Sequence, residues 1–276
     1  MTQPFMIAHL SDLHIKAGGR LSYKKVDTLG ALYAAISKLN RLIPKPDIVV
    51  ISGDLVDFGR DDEYHTLRQA LSTLRIPFYV VPGNHDDRQA LRRAFSDAQY
   101  LQPQTEFIQW VIDDYPVRLI GLDSTLPGKS SGLLCPQRLL WLEQQLALCP
   151  DQPTLVILHH PPFVSGISHM DKQRLENPQD LASIIRRHPQ VERVLCGHLH
   201  RTIETRFAGT LACSAPGLSH QVALDLRTES PAHFVLEPAG FLLHCWSEEQ
   251  GMISHHCLVD DYDGPYPFYD AAGLID

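Results

Sequence analysis

Five apolar runs in this 276-residue chain end in residues that can hold a metal ion or move a proton. IAHL runs into Asp12 and His14, IVVISG into Asp54, and YVVPG into Asn84 and His85; LVIL ends at His159 and His160, and VLCG at His198 and His200. Asp, Asn and His offer oxygen and imidazole donors, which suit Zn, Fe, Mn or Co better than soft ions. One ion needs only three or four ligands. Seven or more candidates suit two ions with a bridging carboxylate, a pair that can clamp a displacement at phosphorus from both sides. Residues i and i+2 of an extended segment project to one side, so SDLH and GHLH can each aim two ligands together. Gly53, Gly83 and Gly197 allow the backbone to turn closely around such a centre. Taken singly, each feature has an ordinary reading: a strand-end histidine as a satisfied polar contact, GD as a turn, Pro161 and Pro162 as a strand stop. Those readings would all have to hold in five separate segments, and a metal centre accounts for them together.

The elements that must position these residues follow from periodicity. Strand-like runs at 5–10, 47–52 and 76–81 alternate with helical spacings. Val26, Leu29, Tyr33, Ile36 and Leu39 fall within 24–42, and Tyr64, Leu67, Ala70, Leu71 and Leu74 within 61–74. A helix over about 87–97 and a loop to Gln104 come next, then strands at 107–112 and 117–123 around the turn DDYP. Pro136 opens a helix carrying Leu139, Leu140, Leu142, Leu146 and Leu148. A strand at 154–158, a helix near 178–188 and a strand at 191–196 complete the alternating rhythm of an α/β sandwich. From Arg201 onward, short runs at 201–207, 210–213, 220–226, 233–237, 240–246 and 251–258 read as antiparallel sheet. The expected organisation is one domain over 1–276, with cap or insertion segments near 163–177 and within 201–276. The turn-rich tail DDYDGPYPFYD is expected to lie over the surface or a neighbouring subunit.

Hydrophobic content of 44% and charged content of 20% fit a folded globular chain rather than a disordered one. A net charge of −8 and the lack of an aromatic–basic stripe argue against nucleic acid as a partner. No apolar stretch reaches membrane-spanning length, and the N-terminus has no signal-like core and cleavage site, so a cytoplasmic protein without a membrane partner is expected. The six cysteines lack the short paired spacing of a zinc site and read as buried free thiols.

SDLH, GDLVDFG, GNHD, HHPP and GHLH, in that order over residues 7 to about 226, resemble the signature blocks of the calcineurin-like metallophosphoesterases. The finer pattern is similar to the bacterial class III cyclic nucleotide phosphodiesterases and their glycerophosphodiesterase relatives. The resemblance implies a four-layer α-β-β-α sandwich with a small cap region. It also implies that Asp12, His14 and His200 hold one ion, that Asp54 bridges, and that Asn84, His159 and His198 complete the second, with His160 a neighbour. It makes His85 a non-ligand that stabilises charge or protonates the leaving group, and it puts Asn84, His85, His200 and His220 near the substrate. The reaction so implied is hydrolysis of a small phosphodiester, a 3′,5′-cyclic nucleotide or a glycerophosphodiester, by hydroxide held between two Fe, Mn, Zn or Co ions. It further implies a homo-oligomer, a dimer or larger. A phosphomonoesterase or protein phosphatase, a nuclease, and a catalytically inactive binding protein of this fold are the alternatives. Asp87 is a candidate to orient His85. The loop 16–24 with Arg20, Asp57 and Phe58, the loop 124–132 with Lys129, the segment 163–177 and SAPGLSHQ are the expected sources of specificity.

Overall fold

The computed structural model describes residues 3–102, 106–271 and 273–275. Residues 103–105 of the loop expected to reach Gln104 lie outside the described residues. The first half lays down strands β1 (Phe5–Leu10), β2 (Ile48–Ile51) and β3 (Phe78–Val80), with helices α1 (Thr28–Arg41), α2 (Asp61–Leu71) and α3 (Arg88–Ala94). β4 (Trp110–Ile112), β5 (Arg118–Gly121), α4 (Pro136–Leu148), β6 (Thr154–Ile157), α5 (Ser168–Asp171), α6 (Pro178–Ile185) and β7 (Val191–Cys196) follow. The last part holds β8 (Ile203–Phe207), β9 (Thr210–Ser214), β10 (Gln221–Val222), β11 (Phe234–Val235), β12 (Gly240–Ser247), β13 (Gly251–Leu258), β14 (Tyr269–Asp270) and β15 (Gly273–Leu274).

Two sheets result. One has the order β13-β12-β1-β2-β3 and the other β4-β5-β6-β7-β9-β8. β1, β2 and β3 are mutually parallel, as are β5, β6, β7 and β9. β2 (IVVI) is an uninterrupted apolar run and β6 (TLVI) nearly one, because both of their faces are covered. One core joins α1 and α2 to the first sheet and continues to Leu119, Leu155 and Leu195 on the facing surface of the second. The other packs Ile120, Val156 and Val194, on the opposite face of that second sheet, against Leu142 of α4 and Leu181 of α6. The layers are therefore helix, sheet, sheet, helix.

Local chemistry moves several boundaries from where periodicity puts them. α1 begins at Thr28 rather than Lys24, because the Asp27 side chain caps it by accepting from Gly30 N while Ser22 and Val26 pair across a turn. Its buried stripe is accordingly Leu32, Ala35, Ile36 and Leu39, and Tyr33 is exposed. α2 stops at Leu71, short of Leu74. Leu140 and Leu148 of α4 face solvent, while Arg138 is buried and donates to the carbonyls of Asp123 and Thr125. The C-terminal strands pair antiparallel as expected, β8 with β9, β10 with β11, β12 with β13 and β14 with β15. β9 joins β7 in parallel and β12 pairs antiparallel with β1, so each extends a sheet already begun. Of the cysteines, Cys196 and Cys213 are buried, whereas Cys135, Cys149, Cys245 and Cys257 are only half-buried; all six are free thiols.

Candidate metal centre

The parallel strands of both sheets end on one edge, where loops can converge. Asp12 and His14 follow β1, Asp54 follows β2, Asn84 and His85 follow β3, His159 follows β6, and His198 and His200 follow β7. Asp12 (φ 56°), His14 (47°), Asp54 (49°), His198 (70°) and His200 (51°) all occupy left-handed backbone. Non-glycine residues rarely adopt it, and it costs about 1–3 kcal/mol where a site imposes it. The turns are locked together: Asp12 N donates to Gly53 O and His14 N to Asp54 O, each at 3.0 Å. The Asp12 carboxylate accepts from His198 N at 3.1 and 3.0 Å, tying the first sheet to the second. A methyl group on Gly83 would collide with Asp54 Oδ1, and one on Gly53 (φ +100°) would lie 2.6 Å from His159 Nδ1. Only hydrogen at these positions permits the approach.

Asp12, His14 and His200 bring one donor atom each within 4.8 Å of one another, and so do Asp12, Asp54 and His159. His159 Nε2 stands 3.2 Å from Asn84 Oδ1, 3.2 Å from His198 Nδ1 and 3.3 Å from Asp54 Oδ2. Asp54 Oδ2 also lies 3.7 Å from His14 Nε2, which places this carboxylate between the two groups. His160 sits beside His159 and His198, but its Nδ1 meets Ser124 Oγ at 2.8 Å and its Nε2 meets Ser130 O at 3.2 Å. Both of its ring nitrogens are thus engaged by the loop that follows β5.

The donor set itself tests whether cations fit. His200 Nδ1 donates to His220 O at 3.1 Å and His159 Nδ1 donates to Ser52 O at 2.8 Å. The other nitrogen of each ring therefore turns inward, a lone pair whenever that ring is neutral. His200 Nε2 meets His14 Nε2 at 3.1 Å, and His159 Nε2 meets an amide oxygen, a carboxylate oxygen and a second imidazole. His198 Nε2 is buried with no hydrogen-bond partner among the described residues. Acceptors converging in this way call for positive charge. Burial would depress His159, yet Asp54 and Asp12 push it up to about 9, while burial with the His14 charge holds His200 at about 3. Burial would raise Asp54, but His159 and His85 hold it well below the usual carboxylate range. The centre attracts positive charge and keeps neutral imidazoles beside it, and its residues fit two divalent ions.

His85 stands apart. Its ring lies edge-on to His14 with centroids 4.7 Å apart, its Nδ1 donates to Asp57 O at 2.7 Å, and its backbone N donates to Asp54 Oδ1 at 2.9 Å. Asp87 does not orient it, because Asp87 caps α3 by accepting from Gln89 N and Ala90 N. Asp57 acts from beneath the site rather than at its mouth. Oδ1 lies 3.3 Å from His14 Nδ1, an ion-pair distance without hydrogen-bond geometry, and Oδ2 accepts from Lys16 at 2.7 Å. Burial would raise its carboxyl, but His14 and Lys16 outweigh that and hold it at about 2.

A cavity of about 300 Å³ opens over the centre, lined by His14, Asp54, Asn84, His85, His198 and His200. Its outer wall is made by Tyr23, His220 and Phe234, which pack against one another, together with His169, Met170, Gln173 and His233. The His220 ring packs 4.5 Å from His200, 5.4 Å from Tyr23 and 5.4 Å from Phe234. The 16–24 and 163–177 segments and His220 thus reach the cavity. Arg20, Phe58 and the 124–132 loop are not part of its lining; Arg20 donates to Ala17 O and Lys129 faces Glu176 at 3.7 Å. The sequence reading missed Tyr23, His169, Gln173, His233 and Phe234 as wall residues. It also missed Asp86, which accepts from Gly83 N, Leu55 N and Tyr64 Oη and holds the turns after β2 and β3 together. The GNHD pattern was the available signal for Asp86; the wall residues have no motif.

The sequence profile of the calcineurin-like phosphoesterase family matches residues 5–202. A probable glycerophosphodiester phosphodiesterase of Arcobacter nitrofigilis is 44% identical over 273 residues, covering 98% of this chain and 100% of that protein. A probable cyclic nucleotide phosphodiesterase of Rhodopseudomonas palustris is 34% identical over 269 residues, covering 96% of each. Among solved structures, a dimetal phosphatase from Danio rerio superposes with a TM-score of 0.69 at 16% identity, covering 94% of this chain and 98% of that one. That last likeness speaks for the fold.

Proposed function

The chain belongs to the calcineurin-like phosphoesterase family, and we propose that it is a metal-dependent phosphodiesterase acting on small phosphodiesters, glycerophosphodiesters before cyclic nucleotides. The observation that carries the reading is the pair of acceptor clusters meeting at Asp54 beneath a cavity of about 300 Å³. In this reading Asp12, His14 and His200 hold one ion, Asn84, His159 and His198 hold the other, and Asp54 serves both. Divalent ions so held acidify water into a nucleophile at neutral pH and offset the charge gathering on the phosphoryl oxygens.

The chain's own residues supply the rest. Asn84 contributes a neutral oxygen, which leaves the centre more electropositive toward a phosphodiester anion than a carboxylate would. The Asp57 carbonyl fixes the His85 ring through Nδ1, so Nε2 is the nitrogen left to hydrogen-bond or protonate the departing alkoxide. His200 and His220 pack edge to face as a unit that, with Tyr23 and Phe234, shapes the side of the cavity where a leaving group rests. We read the chain as one domain whose cap is formed by the 163–177 segment and by the part of 201–276 around β10 and β11, because both contribute wall residues to the cavity.

The preference for glycerophosphodiesters rests on the relative that matches this chain across its whole length at 44% identity. Cyclic nucleotides are the second reading, supported by the 34% identical relative. A panel of glycerophosphodiesters, cyclic AMP and phosphomonoesters on metal-defined protein separates them by kcat/KM. The highest value on a glycerophosphodiester is expected, and a higher value on cyclic AMP would reverse the order. No helix among the described residues is long and apolar enough to cross a membrane. The reading places the enzyme in the cytoplasm as a homo-oligomer, supported by exposed Tyr262, Tyr266, Phe268 and Tyr269 on the tail. Light scattering during size exclusion tests the assembly, with a mass above one chain expected and a monomer excluding it.

A further inference from the structure

Three metal-capable side chains meet in a place the catalytic reading does not use. His9 on β1 and His244 on β12 project from the first sheet, and Cys213 on β9 projects toward them from the second. All three are buried, at 0%, 0% and 1% exposure, and one donor atom from each lies within 4.8 Å of the others. The two rings face each other through His9 Nδ1 and His244 Nε2 at 3.4 Å. That is long for a hydrogen bond, whose usual N–H range ends near about 3.2 Å. It matches the about 3.3–3.6 Å that separates two nitrogens on one ion with metal–nitrogen bonds of about 2.0–2.1 Å. The same motif recurs in the catalytic centre, where facing nitrogens stand 3.1 Å apart in His14–His200 and 3.2 Å apart in His159–His198.

The outer nitrogens are also arranged as those of ligating histidines are. His9 Nε2 meets Ser52 Oγ at 2.8 Å and His244 Nδ1 meets Ser254 Oγ at 2.7 Å, oxygen partners of the kind that fix a ligand's tautomer and orientation. With the His9 Nε2–H donating to Ser52 Oγ, His9 Nδ1 is the lone pair facing His244. A relay of hydrogen bonds from Ser254 to Ser52 would explain the two histidines, but not the thiol set against them.

We propose that His9, His244 and Cys213 form a third cation site, separate from the catalytic pair, that takes one thiolate-seeking d10 ion, zinc or cuprous copper. Two imidazoles and a sulfur suit such ions and disfavour Mn, Mg and Ca. Binding releases one proton, from the thiol, to solvent, and a metal–sulfur bond replaces the S–H bond. Burial already keeps both histidines neutral, and it raises the Cys213 thiol to about 12, so the ion must displace that proton. Arg193, whose charge also depresses His244, is turned to the carbonyls of Met252 and Glu192. The ion would staple β1 and β12 to β9 across the sandwich. Ser52 places the staple directly behind the catalytic centre, since its carbonyl holds His159.

The test loads full-length protein with Mn at the catalytic centre, then titrates zinc or cuprous copper anaerobically in separate arms and reads bound metal and X-ray absorption. We expect one further ion per chain, rising from two to three, with a sulfur neighbour at about 2.3 Å. The ligands assigned to the catalytic pair include no sulfur, so that neighbour reports this site and does not depend on any variant folding. Cys213→Ser and His244→Gln should each lose the third ion and keep two, along with diester hydrolysis. Saturation at two ions, a third ion with only nitrogen and oxygen neighbours, or undiminished third-ion binding by Cys213→Ser would overturn the proposal. The arm with the tighter binding identifies the ion.

Discussion

The division of labour within GNHD separates holding charge from using it. Asn84 and Asp54 approach His159, whereas His85 gathers with His14 and Asp57 and anchors its Nδ1 to Asp57 O. His85→Ala should therefore retain two ions by elemental analysis while kcat falls about 10²–10⁴-fold, the range for a lost proton donor. Metal content that falls in step with activity would make His85 a ligand. Asp54→Ala should lose at least one ion and nearly all turnover; two tightly held ions in that variant would remove its bridging role. The residues that meet at the centre were legible because each offers a particular donor atom, and that is written as residue type and spacing. Tyr23, Phe234 and Gln173 were not, since a cavity wall asks only for shape and polarity, which many residues provide.

The strands are short, and precision resides in the turns that follow them. Gly83 lies so close to Asp54 that Gly83→Ala must push the carboxylate or the turn aside. Weaker metal binding, seen as a higher metal concentration for half-maximal activity, is expected, while unchanged metal dependence would show that the turn yields freely. A second device is the buried Asp123, which accepts from Arg88 at 2.6 Å, Ile108 N at 3.0 Å and Thr125 N at 2.9 Å. Arg88→Ala keeps the donors from Ile108 and Thr125 but leaves Arg138, at 3.8 Å, as the one cation beside that carboxylate among the described residues, and a loss of about 3–5 kcal/mol is expected by denaturant titration. The βα rhythm of the first half was legible because apolar runs covered on both faces look alike in sequence. The partners of β9 and β12 were not, because a strand's own pattern records burial, not which neighbour supplies it. Helix starts shifted for the same reason: Asp27 marks the start of α1 by its cap, while apolar spacing already begins at Val26.

Across the whole molecule, the two sheets are joined at their edge by Asp12 reaching His198 N and by the acceptor clusters themselves. Metal should therefore act as a stabiliser as well as a catalyst. At a free ion concentration about 100 times Kd, one site adds about 2.7 kcal/mol to the folded state, so chelation should lower Tm by several degrees and reloading should restore it. A Tm indifferent to chelation would mean that the turns are rigid without ions. The most direct measurement of the central claim is kcat/KM for a phosphodiester and its matching monoester, on protein whose metal content is determined and then stripped and restored. The account predicts two ions per chain, preference for the diester, loss of activity on stripping and recovery on reloading. Preference for the monoester, or diester hydrolysis that persists in fully stripped protein, would contradict it.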